Sequence, residues 1–151
     1  MHRKAASRGL RGSRSIRPIG RPDSRAVLRL VVVNADDFGL HEAVNEGVVR
    51  AHREGIVTSA SLASCGRAFA DAVSRFRSCP ELDLGVHLTL VEECPVSSVD
   101  RIPSLVDRDG KMPGSAAVFA RRWLTGLIRE RDVRGELEAQ MERVGDSGIR
   151  P

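Results

Sequence analysis

"VVVNADDFGL" (residues 31–40) runs three β-branched residues into two adjacent carboxylates, Asp36 and Asp37, and then into Phe38-Gly39. An apolar, β-branched run suits a strand covered on both faces, as in a parallel sheet. Residues 28–34 are therefore expected to form the first strand. Adjacent side chains on a strand point to opposite faces, but where a strand ends the turning backbone lets both reach one cleft. Two unpaired carboxylates in a low-dielectric cleft would take up protons, so a pair at a strand tip is easier to explain if a cation sits beside it.

The periods that follow are those of an α/β chain. In "HEAVNEGVVRAHREG" (41–55), Val44, Gly47, Val48 and Ala51 recur at helical spacing, with Gly55 where a C-cap belongs. "IVTSASLAS" (56–64) returns to strand-like residues, "RAFADAVSRFRS" (67–78) places Phe69, Ala72, Val73 and Phe76 on one helical face, and "LDLGVHLTL" (82–90) alternates as a strand. A β-α-β-α-β order with helices of about a dozen residues predicts parallel pairing through crossovers, hence an α/β sheet or barrel. Residues 91–115 hold three prolines and read as a long functional loop at the carboxyl ends of the strands, the active face of such folds. Two further helices are expected over 117–130, with a stripe of Phe119, Trp123 and Leu127, and over 132–146, with a stripe of Val133, Leu137, Met141 and Val144.

Composition excludes several classes of protein. A chain of 151 residues is about one domain, and no apolar run approaches the roughly 18 residues of a membrane span. The net charge of +4 is concentrated in residues 1–28, where eight Lys or Arg face one acid, so that the remainder is mildly acidic. That Arg-, Ser- and Gly-rich stretch reads as a disordered basic extension preceding one domain over 29–151. Without aromatic residues interleaved among its bases, the chain is not read as a nucleic-acid-binding fold; an RNA-associated tail is the minor alternative. Three cysteines, Cys65, Cys79 and Cys94, form no C-x-x-C pair and read as small packed residues in a reducing, cytoplasmic setting.

His87, in "GVHLTL", ends the third expected strand and so shares a rim with the acidic pair. On position alone it is as readily a core histidine with one hydrogen bond as a ligand. His41 opens the first helix and His52 lies in its last turn, where a cation complements the helix dipole. A phosphoryl-accepting receiver domain also carries an acidic pair after its first strand, but it needs an aspartate where this sequence has His87.

Four segments in this order, "VVNADDFGL", "AVNEGVVRAHREGIVTSASL", "DLGVHLTL" and "IPSLVDRDG", resemble the YdjC-like carbohydrate deacetylases, which include chitooligosaccharide deacetylase and a hopanoid-biosynthesis branch. The resemblance implies the amino-terminal portion of a distorted, TIM-like (β/α) barrel and removal of an acetyl group from N-acetylated oligosaccharides with one divalent metal ion, magnesium or zinc. It assigns Asp36 as the general base and Asp37 and His87 as metal ligands, with Asn34 and Thr89 as candidates for orienting that shell, and it leaves a homodimer open. Family members continue into a histidine-rich segment that furnishes a further ligand and a proton donor, and no such segment occurs in these 151 residues. Two expectations stand side by side: a metal-dependent deacetylase, and an inactive truncated fragment of one.

Overall fold

Three strands and four α-helices follow one another in the expected order over the described part of the chain, residues 30–151 of this computed structural model. The basic extension of residues 1–28 lies outside it. Strand β1 (Asn34–Phe38) leads through helix α1 (Glu42–Glu54) to β2 (Ser59–Ala63), and α2 (Phe69–Phe76) leads on to β3 (Asp83–His87). The sheet is parallel in the order β1-β2-β3, with Asn34 opposite Ser59 and Ala63 opposite His87. Beyond β3 come a short 3-10 turn (Val99–Arg101), α3 (Ala116–Leu124) and α4 (Glu130–Asp146).

One face of the sheet is apolar. Phe38, Ala60, Leu62 and Leu84 pack there against Val48 and Val49 of α1 and Phe69, Ala72 and Val73 of α2. Cys79, Leu82, Val144 and Ile149 complete this core, so the end of α4 and the residues after it belong to it. Phe69, Ala72 and Val73 form the α2 face that the helical spacing predicts, with Phe76 packed alongside.

Several elements depart from expectation for identifiable reasons. The first strand spans Asn34–Phe38 and shares only Asn34 with the expected 28–34, and Leu30, Val31 and Val32 are 85%, 78% and 72% exposed. Pairing with β2 sets the start: the Val33 carbonyl accepts the N–H groups of Thr58 and Ser59, and the ladder runs on from there. In α1 the buried residues are Asn45, Val48 and Val49, rotated from the expected stripe, because the Asn45 carboxamide is drawn inward by backbone partners. Gly55 does cap α1, but at φ −125°; what demands glycine is the Ala51 carbonyl, 2.6 Å from where a Cβ would lie.

The long loop has a core of its own. Ile102, Leu105, Val106, Met112 and Ile128 are buried together, with Leu90, Phe119 and Val133 against them. Helix α3 stops at Leu124, six residues short of expectation, where Gly126 turns the chain at φ +72°. Trp123 and Leu127 consequently remain exposed, Trp123 stacking on Phe119 at 6.2 Å. On α4 the expected apolar stripe is replaced inward by Asp132, Glu136 and Gln140, all at most 1% exposed, while Met141 faces out; Val144 alone of the stripe is fully buried. Of the cysteines, Cys79 is packed, Cys65 is half-buried and Cys94 is exposed. No described helix is long and apolar enough to cross a membrane.

Candidate functional site

Parallel register places residues that face each other across neighbouring strands on the same side of the sheet. The side opposite the helices therefore carries Asn34 from β1, Ser61 from β2, and Gly85 and His87 from β3. This face is polar and open: a Cβ added at Gly85 would meet nothing within 4 Å.

A bulge at the end of β1 delivers both carboxylates to this face. Ala35 lies opposite Ala60 and Phe38 opposite Leu62, so three steps on β1 match two on β2. Simple alternation would send Asp37 into the apolar core and Phe38 away from it. The extra residue reverses that outcome. Asp37 takes φ +64°, a left-handed conformation that aspartate tolerates better than most residues, and Phe38 is then fully buried. The consecutive acids thus serve one face because the strand is bulged at that point.

Asp36 is held from two sides. Its Oδ1 accepts a hydrogen bond from the Ser61 hydroxyl at 2.6 Å and from the Asn34 amide at 2.8 Å, and that amide also donates to Ser61 Oγ at 3.0 Å. Among the described residues only Oδ1 is engaged, which leaves Oδ2 for another proton partner. Asn34 thus contacts Asp36 itself, and Ser61 was not foreseen. A serine in "TSASL" carries no sequence signal of its own; only the register against β1 reveals it.

Asp37 and His87 come together. The His87 Nε2 lies 3.8 Å from Asp37 Oδ1, with the two side chains 30% and 52% exposed. That is too long for a direct hydrogen bond, yet within the roughly 4 Å that separates two donors each about 2.1 Å from one ion. A carboxylate and an imidazole form a mixed oxygen and nitrogen donor set compatible with zinc and similar divalent ions. The pair fits a divalent cation as two of its ligands. Among the described residues, no group of three or more His, Cys, Asp or Glu side chains converges to hold a metal ion.

The other candidates go elsewhere. The Thr89 N–H donates to the Gln140 side-chain oxygen and its carbonyl accepts from the Gln140 amide, so its backbone is engaged by α4. Burial pushes the Cys65 thiol pKa up. His41 caps α1 by accepting the Ala43 N–H at 3.0 Å, and His52 bonds the Val57 carbonyl at 2.8 Å.

The turn that carries Asp37 is fixed by a buried hub. Asn45 Oδ1 accepts the Gly39 N–H at 2.6 Å, and Nδ2 donates to the Ala68 carbonyl at 3.1 Å and to Asp71 at 2.8 Å. The Arg75 guanidinium, and secondarily Asn45, hold the Asp71 carboxyl below the ordinary carboxylate value. Gly66 approaches the Gly39 carbonyl so closely that any Cβ would overlap it. The two loops leaving β1 and β2 are in this way locked together at the rim.

A parallel α/β sheet that carries an acidic pair and a histidine at its strand tips has the architecture of a (β/α) barrel segment. The chain belongs to the YdjC-like protein family, whose model matches residues 30–151. It is 39% identical over 122 residues to a carbohydrate deacetylase of Brevibacillus brevis, covering 80% of this chain and 45% of that protein. A carbohydrate deacetylase of Geobacillus stearothermophilus is 39% identical over 125 residues, covering 82% and 46%. Among solved structures, one from Enterococcus faecalis V583, described as a candidate cellobiose-phosphate cleavage protein, superposes with a TM-score of 0.72 at 35% identity, over 80% of this chain and 45% of that one. The chain spans about half the length of these relatives.

Proposed function

We propose that this chain carries the base and the cation-holding residues of a metal-dependent hydrolase that removes acetyl groups from N-acetylated oligosaccharides of the chitooligosaccharide type. The observation that supports this reading most is the bulge that brings Asp36 and Asp37 to one polar face, with His87 beside Asp37, in a chain whose relatives are named carbohydrate deacetylases.

An amide is a poor electrophile, so its hydrolysis needs polarisation of the carbonyl, an activated water and a proton for the leaving amine. A divalent cation, magnesium or zinc, would be held by Asp37 and His87, and when bound it supplies positive charge that polarises a carbonyl and acidifies water. Asp36 acts as the general base. Its Oδ2 takes the proton of the attacking water while Oδ1 stays fixed by Ser61 and Asn34. The open surface at Gly85 leaves room on this face for a sugar.

The experiment is acetate release from N-acetylglucosamine oligomers by the 151-residue chain, with zinc or magnesium added and with chelator. The proposal expects release that requires the ion and falls by roughly 100-fold or more in Asp36→Asn, the usual size of a general-base effect. A second reading, an inactive domain of the same lineage, draws on the two-donor character of the Asp37–His87 pair. A folded chain that releases no acetate with either ion would favour it.

A further inference from the structure

The inward face of α4 is built from side chains that read backbone. Asp132 accepts the Ser104 N–H at 2.9 Å, and the two Glu136 oxygens accept the Val96 and Ser97 N–H groups at 2.9 Å each. Gln140 makes the most specific of these contacts. Its Oε1 accepts the Thr89 N–H at 2.9 Å, and its Nε2 donates to the Thr89 carbonyl at 2.6 Å and to Glu136 Oε1 at 2.8 Å. Gln140 and Glu136 are both fully buried.

In extended backbone the N–H and C=O of one residue point to the same side, where a neighbouring strand would meet them. A primary amide presents one acceptor and one donor side by side and can stand in for that neighbour. β3 has only β2 as a strand partner among the described residues. Just past its end the chain is therefore held on one side by β2, through Ala63 opposite His87, and at Thr89 by the Gln140 amide. The second Nε2 proton goes to the Glu136 carboxylate, which fixes the orientation of the amide.

We propose that Gln140 is a positioning residue for His87: by clamping both backbone groups of Thr89, it sets the path of the chain two residues beyond the imidazole and so the approach of Nε2 to Asp37. This inference rests on the reading of Asp37 and His87 as ligands of one cation. A site of this kind tolerates errors of only about 0.5 Å in the placement of its donors.

The test uses four variants of the described protein: Gln140→Met, close in volume and unable to make either bond; Gln140→Glu, which keeps the acceptor and loses the donor; Asp132→Ala, which loosens the same loop at Ser104; and His87→Ala. Zinc affinity is measured by calorimetry and the Thr89 amide by hydrogen exchange. Gln140→Met is expected to weaken zinc about tenfold, the lower end of the effect of groups that support metal ligands, and to speed Thr89 exchange. Gln140→Glu, which sets a second carboxylate against Glu136 and the Thr89 carbonyl, is expected to weaken zinc at least as much. Asp132→Ala lowers the melting temperature and leaves zinc affinity unchanged. Faster Thr89 exchange in Gln140→Met with wild-type affinity overturns the proposal, as does an equal loss of affinity in Asp132→Ala. Should Gln140→Met not fold, wild-type affinity in Gln140→Glu overturns it instead. If His87→Ala binds zinc as wild type does, the cation reading fails and takes this proposal with it; if His87→Ala alone loses zinc, only the positioning role fails.

Discussion

Replacing Asn45 by alanine should destabilise the protein far more than its place in a polar stretch of α1 suggests. The side chain is fully buried and makes three hydrogen bonds. After truncation the Ala68 carbonyl keeps the Ala72 N–H, whereas the Gly39 N–H loses the acceptor it has in the buried turn. An orphaned buried donor costs about 1–3 kcal/mol and the bond to Asp71 adds about 1 kcal/mol. Alanine returns about 0.5 kcal/mol through better helix propensity. The net is roughly 2.5 kcal/mol, and for a domain of about this size each kcal/mol lowers the melting temperature by about 4 °C. A fall near 10 °C is therefore expected in a thermal melt followed by circular dichroism. Asp71, released from Asn45 but still paired with Arg75, should also titrate closer to the ordinary carboxylate value. A fall of less than about 3 °C would show that the hub does not hold the Asp37 turn.

Glycines separate by what surrounds them: Gly66→Ala forces a Cβ onto the Gly39 carbonyl and should cost more than about 2 kcal/mol in urea unfolding, whereas Gly47→Ala, with open space around it, should gain about 0.5–1 kcal/mol. Burial opposes ionisation of Asp132, but hydrogen bonds from Ser104, with Arg131 alongside, outweigh it and hold its carboxyl below 3.8. A depressed carboxylate contributes stability that is present above its unfolded value and lost as pH falls through the folded one. Melting temperature should accordingly drop as pH falls below about 4, and less steeply in Asp132→Asn; parallel curves for the two proteins would contradict this. Ser61→Ala removes one of two donors on Asp36, and a lost charge-assisted bond of about 1.5–3 kcal/mol corresponds to a roughly 10- to 100-fold drop in acetate release. Release within twofold of wild type would remove Ser61 from the site.

Much of the fold is written in periodicities that a sequence exposes. The order β1-α1-β2-α2-β3 and the apolar face of α2 follow from alternating strand and helix spacing. What escapes is whatever depends on a distant backbone partner. The β-branched run before Asn34 reads as strand, yet pairing starts only where the Val33 carbonyl meets Thr58 and Ser59. Asp132, Glu136 and Gln140 read as solvent-facing on α4, yet they are buried because the loop backbone of residues 89–104 needs acceptors and a donor. At the site, the meeting of Asp37 with His87 follows from the rule that strand tips share a rim. The means by which both acids reach one face, a bulge with Asp37 left-handed, is a matter of register that spacing alone does not reveal.

The claim on which the rest depends is that Asp37 and His87 act together on one divalent cation. Calorimetric titration of zinc and of magnesium into the wild-type chain, Asp37→Ala and His87→Ala tests it most directly. The account predicts one ion per chain for the wild type, bound at least tenfold more weakly by each variant. Binding that survives both substitutions, or no binding by a folded wild-type chain, would contradict it.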